Sequence, residues 1–431
     1  MASRTSATGV LFAATVFLSA GLVFQVQPLI AKYVLPWFGG TPAVWTVCLL
    51  FFQIGLFFGY AYAMLTTRYV PAGWQAVVHI GLLVAALALL PITPDARWKP
   101  DAGSDPVWRI MQLLVVSVGL PYFLLSATGP LLQAWFARVQ PHVSPYPLYA
   151  LSNLGSLLGL ISYPFLVEPA LAADRQTQMW SWCFLAFAAG CSACGVVVWR
   201  MGAEPHGGRS VGEATGPRAS ASPRPSGGQL ALWFCLAMVP SVMLLASTNL
   251  VCTDVAVVPF LWVLPLTLYL LSFIFCFHSL RWCPRGFWSI GWAVTVAATV
   301  RVLYRGLGVV SSYPVAVQIV ILFALLFCCA MLCHGELARS KPEPAHLTVF
   351  YLTLAAGGAA GGVFVGLVAP HAFATNVEVS IAMLACISAS PGRCRLLNNC
   401  AYITLAMALL GLMASAFLKI SIASWNLESS M

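Results

Sequence analysis

Residues 200–229 read RMGAEPHGGRSVGEATGPRASASPRPSGGQ, a run of Gly, Pro, Ser and Arg set between two long apolar blocks. So few apolar side chains cannot offset the entropy of ordering, and the run reads as a flexible linker. On its N-terminal side, apolar runs fall near 9–31, 43–66, 74–92, 111–137, 147–168 and 179–199. On its C-terminal side they fall near 230–251, 255–277, 286–304, 314–333, 346–370, 376–388 and 398–420. Each is close to the roughly 20 residues a helix needs to cross a bilayer, the run 376–388 being short. Composition agrees: of 431 residues 60% are hydrophobic and 8% charged, with mean hydropathy +0.88. A soluble domain carries roughly 25% charged residues. The expected fold class is an all-α, polytopic transmembrane helix bundle of 12–13 spans. Its expected parts are a six-helix half at 1–199, the linker 200–229, a second six-helix half at 230–388 and a divergent apolar run at 389–431.

The charge balance of +9 follows from orientation. With the N-terminus in the cytoplasm, thirteen of the 21 Lys and Arg residues fall in inner segments, among them Arg4, Arg68, Arg138, Arg281, Arg285 and Arg339. Only four of the 12 acids join them (Glu204, Glu213, Glu336, Glu343), so the inner surplus is nine and the outer balance zero. Positive inner loops fix the expected topology as N-terminus cytoplasmic, in the inner (plasma) membrane of a bacterium, and a nucleic-acid partner is unnecessary. Arg4 precedes an apolar stretch too long for a signal-peptide core, so that stretch is read as the first span.

The two halves repeat. Gln133-Ala-Trp-Phe-Ala-Arg138, Tyr149, Gly155, Gly159 and Pro169 in the first are matched by His334-Gly-Glu-Leu-Ala-Arg339, Tyr351, Gly357, Gly361 and Pro370 in the second. Pro42-Ala-Val-Trp45 is matched by Pro259-Phe-Leu-Trp262. Six spans, a linker and six more in the same orientation form a parallel repeat of the major-facilitator-like kind, in which the substrate site lies between the halves near the midplane. Gly155 with Gly159, and Gly357 with Gly361, put small residues one helical turn apart, where backbones can approach. The run GGAAGG (357–362) follows no strand, so a dinucleotide loop is excluded.

Polar groups at membrane depth are costly and become candidates for function. Gln25, Gln27, Gln53, Ser152, Asn153 and Asn249 are such groups, Gln25 and Gln27 standing just before Pro28. Glu168, Asp254 and Glu378 fall at expected outer ends, where acids would concentrate an organic cation. Each is equally readable as interfacial solvation. Trp45, Tyr60, Tyr62, Tyr149, Trp262, Tyr269 and Tyr351 lie deeper than an interfacial belt, where aromatic faces can hold an amine. His334 and Glu336 open the inner loop after the tenth span, and read either as a proton-linked gate or as a capped helix end with a salt bridge to Arg339. The 14 cysteines sit in apolar runs and read as small buried hydrophobes. Cys191 and Cys194 form a CxxC, and Cys328, Cys329, Cys333 and His334 a soft-ligand group, but neither metal nor cofactor is expected. A nucleotide-binding turn, a nucleophile elbow and a paired-carboxylate site are all missing from the sequence.

Four stretches carry a resemblance: FQVQPLIAKYVLPWFGGTPAVWTVCLLFFQIGLFFGYAYA (24–63), PLLQAWFA (130–137) with SPYPLYALSNLGSLLGLISYPFLVEP (144–169), STNLVCTDVAVVPFLWVLPLTLYLLSFIFCF (247–277), and CHGELARSKPEPAHLTVFYLTLAAGGAAGGVFVGLVAPHAF (333–373). These resemble the membrane region of bacterial fused MFS/spermidine-synthase-like integral membrane proteins. In that family an aminopropyltransferase-like domain of Rossmann type follows the membrane region. Here the match fades into ISASPGRCRLLNNC (387–400), with no counterpart of the synthase motifs. The resemblance therefore implies a transporter-like membrane protein without enzyme activity of its own.

The resulting expectation is a path for a small organic cation such as a polyamine. Asp254, Glu168 and Glu378 would attract it, Gln25, Gln27, Asn153, Asn249, Trp45 and Trp262 would bind it, and His334 with Glu336 would gate it. The alternative is a non-transporting scaffold for a separately encoded spermidine-synthase-like partner. The lipid bilayer is the partner common to both.

Overall fold

The computed structural model describes residues 2–39, 42–100, 106–143, 146–203, 225–254, 260–304, 313–343, 346–373 and 377–389. Among them run twelve long helices: α1 (Ala2–Phe38), α2 (Pro42–Tyr69), α3 (Ala72–Leu87), α4 (Pro106–Val139), α5 (Pro147–Ala170), α6 (Ala173–Ala203), α7 (Gly227–Asp254), α8 (Phe260–His278), α9 (Arg285–Tyr304), α10 (Val315–Arg339), α11 (Leu347–Ala372) and α12 (Val377–Ala389). Helices suit these sequences because an apolar medium offers backbone groups no partner outside the segment. Eight are long and apolar enough to cross a membrane, and Ala72–Leu87, Trp262–His278 and Val377–Cys386 are apolar but shorter.

Several boundaries differ from the sequence reading. Helix α1 continues through Pro28 and Pro36, well past the expected end at 31. Hydropathy marks the apolar stretch, whereas a helix extends over polar flanks as long as its hydrogen bonds persist. Helix α4 starts at Pro106, ahead of the expected run near 111–137, and the connection before it contains the 3₁₀ turn Ala96–Trp98, capped by Asp95 accepting from the Arg97 amide. Helix α10 runs to Arg339, so His334 and Glu336 lie within it and do not open a loop. Residues 200–203 and 227–229 of the expected linker are helical, while 204–224 and the expected span 398–420 lie outside the described residues.

The helix pairs repeat between the halves. α1 packs on α5 as α7 packs on α11; α2 lies on α4 as α8 on α10; α1 meets α4 and α6 as α7 meets α10 and α12. Across the seam, α2 packs on α11 and α8 on α5. Glycines let α5 close on α1 and α11 on α7. A methyl group on Gly155 would stand 2.5 Å from Phe17 O, and one on Gly159 2.5 Å from Gly21 O. In the second half a methyl on Gly357 would overlap Phe234 O, and one on Gly361 would stand 2.9 Å from Ser241 Cβ. Both α5 and α11 also carry one π-helical turn in their last third, Tyr163–Val167 and Phe364–Val368. Hydropathy carries no signal for these turns.

Candidate functional site: a cavity between the halves

A cavity of about 260 Å³ lies at the seam, lined from α1, α2, α4 and α5 on one side and α7, α8 and α11 on the other. That is at the small end of ligand pockets, which run about 300–1,000 Å³. Each helix presents one stripe. Ser19, Val23 and Gln27 of α1 lie four residues apart; Leu49, Gln53 and Leu56 line α2; Tyr149, Ser152, Asn153 and Ser156 line α5. Such spacing puts the side chains on a single helical face. No Asp, Glu, Lys, Arg or His lines the cavity among the described residues. Its polar groups are amides, hydroxyls and phenols, including Gln133, Ser241, Tyr269 and Tyr351.

Cross-seam contacts bound the cavity at its two ends. At the ends where α2 and α8 begin, Trp45 and Trp262 are each 3% exposed and stack at 4.3 Å with a 21° interplanar angle. The Trp262 indole donates to Cys252 Sγ at 3.1 Å, and Thr46 donates to Asn249 Oδ1 at 2.7 Å across the seam. At the ends where α5 and α11 begin, Tyr149 and Tyr351 stack at 5.2 Å and 23°. Tyr149 and Tyr351 line the cavity, whereas Trp45 and Trp262 do not. In the middle, Gln53 Nε2 donates to Ser241 Oγ at 3.0 Å, and Ser241 Oγ in turn donates to Gly358 O. Gln53 Oε1 is buried without a donor among the described residues.

The site residues expected from sequence are dispersed. Gln27 and Asn153 line the cavity. Gln25 instead donates to Ser162 Oγ at 3.2 Å, tying α1 to α5. Asn249, Trp45 and Trp262 close one end as described. Glu168 pairs with Lys32 at 3.6 Å near the end of α5, and Glu378 is buried on α12; neither reaches the cavity. The side chain of Asp254 lies outside the described residues.

His334 and Glu336 do not form a pair. Two residues apart on a helix, they face different neighbours. His334 is fully buried, with Nδ1 2.9 Å from Ser272 Oγ and its ring edge-on to Tyr269 and Phe273. Glu336 accepts a two-pronged bond from Arg285 at 2.7 Å and another from Arg339 at 2.8 Å. The salt bridge to Arg339 expected of a capped helix end is present at Glu336. The corresponding turn of α4 has no carboxylate: the Trp135 indole donates to Gln75 Oε1 at 2.8 Å, and the Arg138 guanidinium donates to Thr67 O at 3.2 Å.

Ser19, Ser126, Ser241 and Tyr122 also line the cavity, and sequence reasoning does not single them out. Hydroxyls are common in apolar helices, and their signal lies only in sharing a stripe with Gln27, Gln53 or Asn153.

The chain is similar in fold to solved transporters. A xylose transporter, XylE from E. coli, in a partially occluded inward-open conformation matches with a TM-score of 0.50 and 12% identity, over 88% of this chain and 97% of that one. A point mutant of the nucleoside transporter NupG matches with a TM-score of 0.47 and 11% identity, over 93% of this chain and 99% of that one. No family model and no curated protein matches. The chain is a helical membrane protein with a major-facilitator-like, transporter-type fold.

Proposed function

We propose that this protein carries a small, uncharged, amphipathic solute across the plasma membrane through the seam cavity, by rocking of one half against the other. The observation that carries the reading is the chemistry of the lining. The four amides Gln27, Gln53, Gln133 and Asn153 all come from the first half, whereas the second half brings Ser241, Tyr269 and Tyr351 among apolar groups such as Leu244, Leu270 and Leu354. A solute with hydroxyl or amide groups turned toward the first half and apolar surface elsewhere suits this lining. A formal charge on it would be buried without a countercharge, which is expensive.

The organic-cation reading keeps one support, the faces of Tyr60, Tyr122, Tyr149, Tyr269 and Tyr351, on which an amine can rest. Against it, Glu168 and Glu378 lie away from the cavity. Recruitment of a spermidine-synthase-like partner rests on the sequence resemblance alone.

One binding screen separates the three. Purified protein in nanodiscs is heated with neutral amphipathic solutes, and in parallel with putrescine and spermidine, for wild type, Asn153→Ala and Gln53→Leu. A ligand at a hundredfold excess over its Kd stabilises by about 2.7 kcal/mol, well within a thermal-shift readout. Saturable stabilisation by neutral solutes, weakened in both variants, is expected. Stabilisation by amines alone would replace the neutral reading with the cation reading. No solute binding together with co-purification of a soluble aminopropyltransferase would favour the scaffold.

A further inference from the structure

Sulfur is concentrated on one side of the second half. Cys329 and Cys333, one helical turn apart on α10, meet Cys386 of α12, and the three Sγ atoms lie within 4.8 Å of one another. Cys333 and Cys386 are 4.0 Å apart. All three residues are at most 1% exposed. Metal–thiolate bonds of about 2.3 Å place the corners of a trigonal set about 4.0 Å apart. The three sulfurs thus need shifts of well under an ångström to close on one ion. Sequence spacing alone misses this group, because Cys386 sits more than fifty residues beyond Cys333 and inside a different apolar run.

A second, separate set of sulfur atoms packs on another face of α10 and is not part of the three-thiol group. Cys276 Sγ is 3.9 Å from Met331 Sδ on the intervening turn of α10, and 2.8 Å from Cys283 Sγ. Cys283 follows the 3₁₀ turn Leu280–Trp282, whose Leu280 and Trp282 are 48% and 56% exposed.

We propose that Cys329, Cys333 and Cys386 form a trigonal site for a soft monovalent metal ion, Cu(I). Thiolate and thioether donors select Cu(I), and three-coordination without an oxygen or nitrogen donor disfavours the harder divalent ions. Each thiol that binds as thiolate releases its proton to solvent, so uptake is accompanied by acid release. Binding is ligand exchange at Cu(I), with no change of oxidation state.

The test uses the purified full-length chain under anaerobic conditions, titrated with Cu(I) against a chromogenic chelator, with the thiolate-to-copper charge-transfer band as a second readout. One Cu(I) per chain, held against the chelator, is expected. Cys333→Ser and Cys386→Ser should each weaken it by more than the roughly 10- to 100-fold that loss of an outer hydrogen-bond partner costs a metal site. Cys191→Ser, on α6, should leave it unchanged. Should Cys333→Ser not fold, Cys386→Ser on the other helix and the wild-type stoichiometry still decide. No retention of Cu(I) by folded wild-type protein, or equal retention in Cys386→Ser, would overturn the proposal.

Discussion

In the first half the cavity wall carries Gln27, Gln53, Ser152 and Asn153; at the matching turns of the second half stand Leu244, Leu270, Leu354 and Ala355. The matches follow from the repeat itself. Counting on from Trp45 and Trp262 aligns Leu49 with Leu266, Phe52 with Tyr269 and Gln53 with Leu270. Counting from Tyr149 and Tyr351 aligns Asn153 with Ala355 and Ser156 with Gly358. The backbone plan is shared and the lining is not. A duplicated frame relates the two halves, while divergence of the stripe places the four cavity amides, Gln27, Gln53, Gln133 and Asn153, in the first half. The halves differ again where α4 and α10 end: in the first, Trp135 and Arg138 donate to the neutral oxygens of Gln75 and Thr67, and in the second Glu336 is ion-paired with Arg285 and Arg339.

The shared frame is the place to look for the largest effects. Gly159→Leu and Gly361→Leu drive a side chain into the facing helix backbone, at Gly21 and at Met238 and Ser241. Overpacking costs about 1–3 kcal/mol where neighbours can shift, and more where the obstacle is backbone. Both variants should lose most of the monodisperse protein in size-exclusion chromatography. Loss in one half only would mean that the repeat is not mechanically equivalent.

Next in size is the ionic end of α10. Glu336→Ala leaves Arg285 and Arg339 without their carboxylate and should cost about 2–3 kcal/mol in thermal unfolding, below the roughly 3–5 kcal/mol of a fully buried pair because Arg285 is half exposed. Its counterpart Trp135→Phe loses one neutral hydrogen bond and should cost about 1 kcal/mol. Equal costs would erase the contrast between the two ends.

The cavity walls come third. Asn153→Ala and Gln53→Leu each remove a hydrogen-bonding group worth about 0.5–1.5 kcal/mol, so the solute Kd should rise roughly 3- to 10-fold. In the second half Leu270→Met, which keeps volume and polarity, should change Kd by less than about threefold. A larger effect from Leu270→Met than from Asn153→Ala would contradict the role given to the first-half amides. Smallest is Tyr351→Phe, which keeps the ring stacked on Tyr149 and should move stability by less than about 0.5 kcal/mol.

Much of the frame is legible in the sequence. The twelve described helices fall where hydropathy places them to within several residues, and spacing alone pairs Tyr149 with Tyr351 and Trp45 with Trp262, which are in contact across the seam. The candidate site is less legible, for a geometric reason. Hydropathy gives the depth of a residue along a helix but not its direction around it. Gln25 and Gln27 are at nearly the same depth, yet Gln27 faces the cavity and Gln25 faces Ser162 on α5. The acids mislead for a related reason: Glu168 reads in sequence as a lure for cations, and its charge is already met by Lys32. Gln53 is visible as a polar group at membrane depth, but its bond to Ser241 depends on how α2 crosses α7, which no local pattern encodes.

The central claim, that the seam cavity is the solute path, is tested most directly by sided labelling of Asn153→Cys. Cys183 and Cys235, the more accessible native thiols among the described residues, are first replaced by Ser. Vesicles of each orientation are then treated with a membrane-impermeant thiol reagent, with and without saturating solute. The expected result is labelling from at least one face, slowed when solute fills the cavity. Absence of labelling from both faces, or labelling that solute leaves unchanged, would contradict it.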